Sequence, residues 1–315
     1  MTPNRKTAAA AATVANLGPG FDVLGLCLEG PRDTVMAELT TTGEIELVDV
    51  SGPAEVVAKL SGRGLENCAG VTAKAVIDTF APGAGARLWL DKGLPLGSGM
   101  GSSAASSVAG AVAVAACIDP NLPQELLVSA VREGERLATG TPHPDNVAPC
   151  LFGGIVACLH GDGEHVDVVT LPVPRGLMVV CVKPDFEVRT ADARAVLPKE
   201  VPMGDAVRNL GAMAGLVKAL ASGDLELLGK CLGDRLATPY RKRLIPGFDD
   251  AMEAAMAAGA LGAGISGSGP AMFALCAGRD DALTVADAMV EAFERRQIGA
   301  RAIVSAIDRH GAQII

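Results

Sequence analysis

The chain is poor in aromatic residues, with one Trp, one Tyr and seven Phe among 315 positions. It holds four His and no block of Lys or Arg, and its formal net charge is −9. Nucleic-acid binding draws on a basic face, so no nucleic-acid partner is expected. A few local cations in a cleft can still receive a small anion against an acidic background. The eight cysteines (Cys27, Cys68, Cys117, Cys150, Cys158, Cys181, Cys231 and Cys276) include no C-x-x-C pair. That spacing excludes a zinc ribbon and a disulfide framework, and it suits reduced thiols in a cytoplasmic protein. No stretch of about 20 strongly apolar residues is present, so no membrane span is expected. The opening "MTPNRKTAAAAATVANLG" sets Arg5 and Lys6 ahead of an alanine run. Alanine makes a weak signal-peptide core, however, and a glycine turn follows at once.

Apolar residues make up 49% of the chain, enough for a full core in each of two domains. Strands are expected at 7–15 and 23–28 around the turn "NLGPG", and one or two more between Thr34 and Val50. A helix ends "GRGLENCAGVTAKAVIDTF", "ARLWLDKG" is a strand, 103–118 and 123–138 are helices, and "GGIVACL" is a strand. The turn signals and prolines of "GDGEHVDVVTLPVPRG" set the division between residues 1–165 and 166–315. The second part reads as a strand (177–182), helices (190–197, 204–221, 224–236 and 247–258), a hairpin (260–277), a helix (279–296) and a strand (300–307). With the middle helices as insertions this is the β-α-β-β-α-β order of a ferredoxin-like domain.

The segment "PLGSGMGSSAAS" puts Gly97, Gly99 and Gly101 directly before a helix of small side chains. Backbone N–H groups of such a turn can cradle oxyanions, and the helix N-terminus adds partial positive charge. Ser102 and Ser103 can offer hydroxyls to phosphate or to Mg²⁺. The spacing is neither a Walker loop nor a dinucleotide fingerprint. A second cluster, "GAGISGSGPA", lies in the other half, so the two loops suggest a cleft between domains.

Asn16 and Asp22 flank the sharp turn of "NLGPGFD". Asp22 sits in an apolar run and needs a partner. In "EGERLATGTPHPDNVAP", His143, Asp145 and Asn146 fall between two prolines in what reads as a rigid loop. Glu133 and Glu135, two apart on the preceding helix, point to different faces. Arg189, Arg194, Arg235, Arg241 and Arg243 are further candidates, since two guanidiniums converging on a cleft can hold a carboxylate.

Together these blocks resemble the homoserine kinases of the GHMP small-molecule kinase superfamily. "ATVANLGPGFDVLGLCL", "KGLPLGSGMGSSAAS", "HPDNVAP", "TADARAVLP", "YRKRLIPG" and "GISGSGPAMFAL" follow that family's order over nearly the whole chain. The resemblance implies an α+β, two-domain architecture: an N-terminal ribosomal-protein-S5-like domain and a C-terminal ferredoxin-like domain. It implies phosphorylation of L-homoserine by ATP with Mg²⁺, a place in threonine biosynthesis, and a homodimer. It places ATP on Pro95, Leu96, Gly97, Ser98, Gly99, Met100, Gly101, Ser102, Ser103, Ala104 and Ala105, with Asn67 near the nucleoside and Lys92 reaching a phosphate. It places the metal on Ser103 and Glu135. The substrate falls to Asn16, Asp22, His143, Asp145, Arg194, Arg241 and Gly267, with Asn146 close to the reacting hydroxyl. Whether Asp145 is a base or only orients substrate stays open; mevalonate kinases have an aspartate at the corresponding position. Met100 replaces a usual leucine, and "GPRDTV" departs from a tyrosine-bearing segment, which implies a change at the pocket rim. Alternatives are another GHMP kinase acting on mevalonate, a sugar or shikimate, and a non-catalytic sensor of the same fold.

Overall fold

The computed structural model describes residues 4–161 and 165–315. The chain begins with β1 (Arg5–Ala15), β2 (Leu24–Thr40), β3 (Ile45–Ser51), α1 (Ala54–Val57), α2 (Cys68–Phe80) and β4 (Gly85–Asp91). It continues with α3 (Ser102–Ile118), α4 (Val128–Thr139), α5 (Pro144–Phe152), β5 (Ile155–His160) and β6 (Val166–Leu171). Then follow β7 (Met178–Pro184), α6 (Thr190–Ala195), α7 (Met203–Ser222), α8 (Leu225–Lys230), α9 (Thr238–Arg241) and α10 (Phe248–Ala257). Last come β8 (Gly262–Ile265), β9 (Met272–Cys276), α11 (Arg279–Glu294), β10 (Ala300–Ala306) and β11 (Gln313–Ile314).

The alanine run that resembled a leader is β1, a buried strand inside a sheet. Its small side chains match α3, another run of small residues buried almost throughout. A helix apolar on all sides belongs inside a protein, and Ala against Ala lets sheet and helix approach closely. The first sheet runs β11-β1-β2-β4-β3, with β5 and β6 joined to the early part of β2. β2 is long enough to serve both branches: Leu24–Leu26 pair with β5 and Thr34–Thr40 with β4.

The second sheet runs β10-β7-β9-β8, all antiparallel. That is the spatial order of a ferredoxin-like sheet, with α10 and α11 as its two helices and α6 to α9 inserted after its first strand. One continuous apolar core joins the first sheet, the helices α2 to α5 that cover it and one face of the second sheet, taking in Val14, Leu26 and Leu88 from the first and Val179, Cys181 and Phe273 from the second. The other face of the second sheet packs on α10 and α11. A division at 165/166 falls inside the β5–β6 hairpin; β6 still pairs in the first sheet, and the change of sheet comes at 172–177.

Several segments differ from expectation: the strands read at 23–28 and from Thr34 join in β2, β6 lies in the stretch read as turn signals, and two helical segments change. The helix read over 224–236 ends at Lys230. Gly233 follows, and the Asp234 carboxylate then accepts from the N–H groups of Leu236, Ala237 and Thr238, giving the backbone partners outside a helix. The rigid loop read around His143 is a helix, α5, with Pro144 at its first position, where a fixed φ and a missing N–H cost nothing. Cysteines are free, as their spacing implied, and all are buried except the half-buried Cys68. Among the described residues no helix is long and apolar enough to cross a membrane.

Candidate active site between the two sheets

One cleft of about 560 Å³ lies where the glycine loop, the Asn16–Asp22 turn, the start of α5 and the second sheet's hairpin meet. Asn16, Asp22, Asn67, Leu96, Gly97, Ser98, Gly99, Gly101, Ser102, Ser103, Glu135, His143, Asp145, Asn146, Arg194, Arg241 and Gly267 all line it. Of the other expected residues, Met100, Ala104 and Ala105 are buried behind the loop, and Pro95 is not part of the cleft wall.

The loop between β4 and α3 has left-handed backbone at every second residue: Gly97 (φ 57°), Gly99 (φ 79°) and Gly101 (φ 69°). This alternation is the pattern of an anion-binding nest, and it ends at the N-terminus of a 17-residue helix. Gly101 has no room for more: a Cβ there would sit 2.1 Å from Thr13 Oγ1. The loop is tied to both sheets. The Thr13 N–H donates to the Met100 carbonyl (3.1 Å), Ser266 Oγ donates to the Gly99 carbonyl (2.6 Å), and the Ala271 N–H donates to the Ser98 carbonyl (3.0 Å).

Lys92 borders the cleft but does not face a phosphate. Its ammonium is held by the Asp33 carboxylate, by the Ser102 carbonyl (3.1 Å) and Ser102 Oγ (2.9 Å), and by Ser106 Oγ (3.0 Å). Asp33 also accepts from the N–H groups of Gly93 (3.0 Å) and Leu94 (3.1 Å). Both side chains are essentially inaccessible, at 1% and 0%. The expected phosphate contact is therefore corrected: the three protons of Lys92 are already used, and the pair fixes the loop from below. Asp33 is the acidic residue of "GPRDTV", and it lies beneath the loop rather than on the pocket rim.

At the start of α3, Ser103 Oγ donates to Glu135 Oε1 at 2.5 Å. Glu135 is buried on α4, and burial pushes its pKa up to about 7, against the pull of the Ser103 hydrogen bond. Glu133, on the other side of that helix, pairs with Arg136 at 3.2 Å, as the two-residue spacing implied. A hydroxyl and a carboxylate are hard oxygen donors of the kind Mg²⁺ takes, and among the described residues no cation pairs with the buried acid. Among the described residues there is no group of three His, Cys, Asp or Glu set for a metal. An ion here would need ligand oxygens to complete its shell.

The opposite wall is built from the Asn16–Asp22 turn. Asn16 (φ 74°), Leu17 (φ 44°) and Asp22 (φ 58°) are all left-handed, a concentration of strain of the kind that collects at functional sites. Asn16 Oδ1 accepts from the Asp22 N–H (3.0 Å), and its Nδ2 donates to the Gly267 carbonyl (2.9 Å). Arg194 grips Asp22 with both Nη atoms (2.7 and 2.6 Å), and Nη2 also donates to His143 Nδ1 (3.2 Å). Burial, reinforced by the Arg194 charge, depresses the His143 pKa to about 4, so the ring is neutral and can accept. Arg241 is buried and fixed by the carbonyls of Ala193 (3.1 Å) and Gly267 (2.9 Å).

Asp145 lies on the first turn of α5. Burial first, then the charges of Asp22 and Glu135, push its pKa up to about 7. Asn146 Oδ1 accepts from Thr13 Oγ1 at 2.8 Å. Arg132 Nε supports this segment by donating to the Pro142 carbonyl at 3.0 Å. Asn67 caps α2, its side chain accepting from the Ala69 N–H at 3.0 Å. Thr13, Phe21 and Asp33 were missed from the sequence. Thr13 lies three residues before Asn16 and Phe21 directly before Asp22, yet their side-chain types carry no signal of their own.

The chain matches the family descriptions "GHMP kinases N terminal domain" over residues 67–154 and "GHMP kinases C terminal" over 216–295. It is 42% identical over 301 residues to homoserine kinase of Pyrococcus abyssi, covering 95% of each chain. It is 40% identical over 312 residues to homoserine kinase of Arabidopsis thaliana, covering 97% of this chain and 83% of that one. The crystal structure of homoserine kinase from Cytophaga hutchinsonii superposes with a TM-score of 0.94 at 38% identity, covering 100% and 98% of the two chains. A mevalonate kinase of L. major, at 18% identity and a TM-score of 0.69, shares the fold. With a glycine-lined anion nest facing an acid–guanidinium pocket and these similarities over nearly its full length, the chain belongs to the homoserine kinase family of the GHMP kinases.

Proposed function

We propose that this chain transfers the γ-phosphoryl group of ATP to the side-chain hydroxyl of L-homoserine, releasing ADP and O-phospho-L-homoserine on the way to threonine. The observation that carries the reading is the two-ended cleft. One end holds a nest and the Ser103–Glu135 pair; the other holds a carboxylate and two guanidiniums. Phosphoryl transfer depends mainly on position and charge, and these ends suit a polyphosphate and a zwitterion.

The triphosphate rests on the main chain of Gly97–Ser103 and the N-terminus of α3. Ser103 and Glu135 would hold Mg²⁺, which supplies positive charge for the phosphate oxygens. The substrate ammonium goes to Asp22, and its carboxylate to Arg194 and Arg241. A zwitterion can replace the Asp22–Arg194 pair end for end, leaving no charge unmatched. The hydroxyl is then presented beside Asp145 and Asn146. Asp145, with a pKa near neutrality, can take the hydroxyl proton as the new bond forms. Thr13 turns the Asn146 carbonyl oxygen away and so fixes its amide. The test is ADP release, followed in a coupled assay, with L-homoserine against serine, threonine and mevalonate. Turnover confined to homoserine supports the reading, and none with homoserine removes it.

A further inference from the structure

Phe21 takes no part in the chemistry above, yet both substrate-side guanidiniums lie over its ring. The Arg194 carbon Cζ is 5.1 Å from the ring centroid and that of Arg241 is 5.0 Å. Two like charges brought to one pocket repel, and the Arg241 pKa is lowered by burial first and by the Arg194 charge second. An aromatic face is electron-rich and attracts a guanidinium without neutralising it. The same strained turn supplies both restraints, since the ring precedes Asp22, whose carboxylate takes the Arg194 fork. A carboxylate could hold Arg194 alone, but it competes with an incoming anion for the same N–H groups. The ring competes with nothing and leaves the donors free. The Arg194 Nε is buried and has no hydrogen-bond partner among the described residues, so that guanidinium is not anchored through its stem. Arg241 is anchored through Nε and Nη1, one of them on the residue next to Arg194.

We propose that Phe21 is a positioning residue that sets the spacing of Arg194 and Arg241 and thereby the preference for a substrate bearing an α-carboxylate. This rests on homoserine as the substrate. A bulky apolar side chain of similar size would fill the space without the electron-rich face, which separates the proposal from plain packing.

The experiment compares the unmodified protein with F21L and F21Y. The substrates are L-homoserine and 3-amino-1-propanol, which is homoserine without its carboxylate. F21L is expected to raise the KM for homoserine about tenfold, the scale of two partly desolvated cation–π contacts. The KM for ATP should stay level, and so should kcat/KM for 3-amino-1-propanol. F21Y, which keeps the ring, should restore the homoserine KM to within about threefold of the unmodified value. Equal losses on both substrates, no loss in F21L, or failure of F21Y to restore would each overturn the proposal. If the unmodified protein consumes no ATP with homoserine, the functional reading falls instead. The ring is then judged by calorimetric binding of 4-hydroxybutyrate against 3-amino-1-propanol. Selective loss of the carboxylate ligand in F21L upholds the proposal; no selective loss, or no binding by the unmodified protein, ends it.

Discussion

Replacing Glu135 by Gln should stabilise the ligand-free protein while removing its activity. Glu135 is 3% exposed, and burial carries its pKa from 4.5 to about 7. The folded state therefore holds a proton that the unfolded chain has released between pH 4.5 and 7. Over that window stability falls as pH rises, and above 7 the full cost of an ionised buried acid is carried. A shift of this size corresponds to about 3 kcal/mol. Gln cannot ionise, keeps an oxygen for the Ser103 hydroxyl, and is nearly the same size. For a chain of this length the unfolding entropy is about 0.7 kcal/mol per kelvin, so E135Q should melt about 5 °C higher at pH 8.5. The gain should shrink toward zero at pH 4.5. The assay is thermal melting of both proteins with EDTA and no nucleotide across pH 4.5–8.5, alongside ADP release at pH 8. An E135Q protein that melts lower at pH 8.5, or a gain that does not change with pH, would refute the account of Glu135 as an uncompensated buried acid. Full activity in E135Q would refute its metal role.

The charge-exchange view predicts that 4-hydroxybutyrate and 3-amino-1-propanol each show kcat/KM at least about 30-fold below homoserine, because each strands one partner of the Asp22–Arg194 pair; similar turnover of all three in the coupled assay would contradict it. K92M leaves Asp33 buried and unpaired and should cost about 3–5 kcal/mol in urea unfolding, with D33L/K92M recovering part of it. Undiminished stability with only ATP affinity lost would return Lys92 to the phosphates. G101A meets both a left-handed backbone and the Thr13 hydroxyl, so it should raise the KM for ATP at least about tenfold and leave the KM for homoserine much less changed; an unchanged KM for ATP would mean that the loop yields.

The glycine loop was legible because backbone geometry restricts residue choice: three left-handed positions close together favour glycine at each, and the sequence shows three. The ferredoxin-like order was legible from strand and helix alternation alone. Side-chain direction was not. Lys92 stands three residues before Pro95, and nothing in "DKGLPLG" says that its ammonium turns under the backbone toward Asp33, 59 residues earlier in the chain. Phe21 was read as apolar context for Asp22, since a cation–π contact depends on where Arg194 and Arg241 arrive from another domain. The α5 helix was hidden by Pro149, which reads as a breaker but sits within the helix and leaves the Asp145 carbonyl without its usual donor. That carbonyl lies against Gly25, where a Cβ would come within 2.0 Å.

The hydrogen bonds from Ser266 and Ala271 to the glycine loop mean that the seat for a nucleotide belongs to neither half of the polypeptide. Its floor is spun from one fold and its clasp from the other. Saturating ATP should accordingly brace both halves at once and merge their melting into a single event. A fragment ending before the second sheet would own every glycine of the loop and still lack the grip that shapes it.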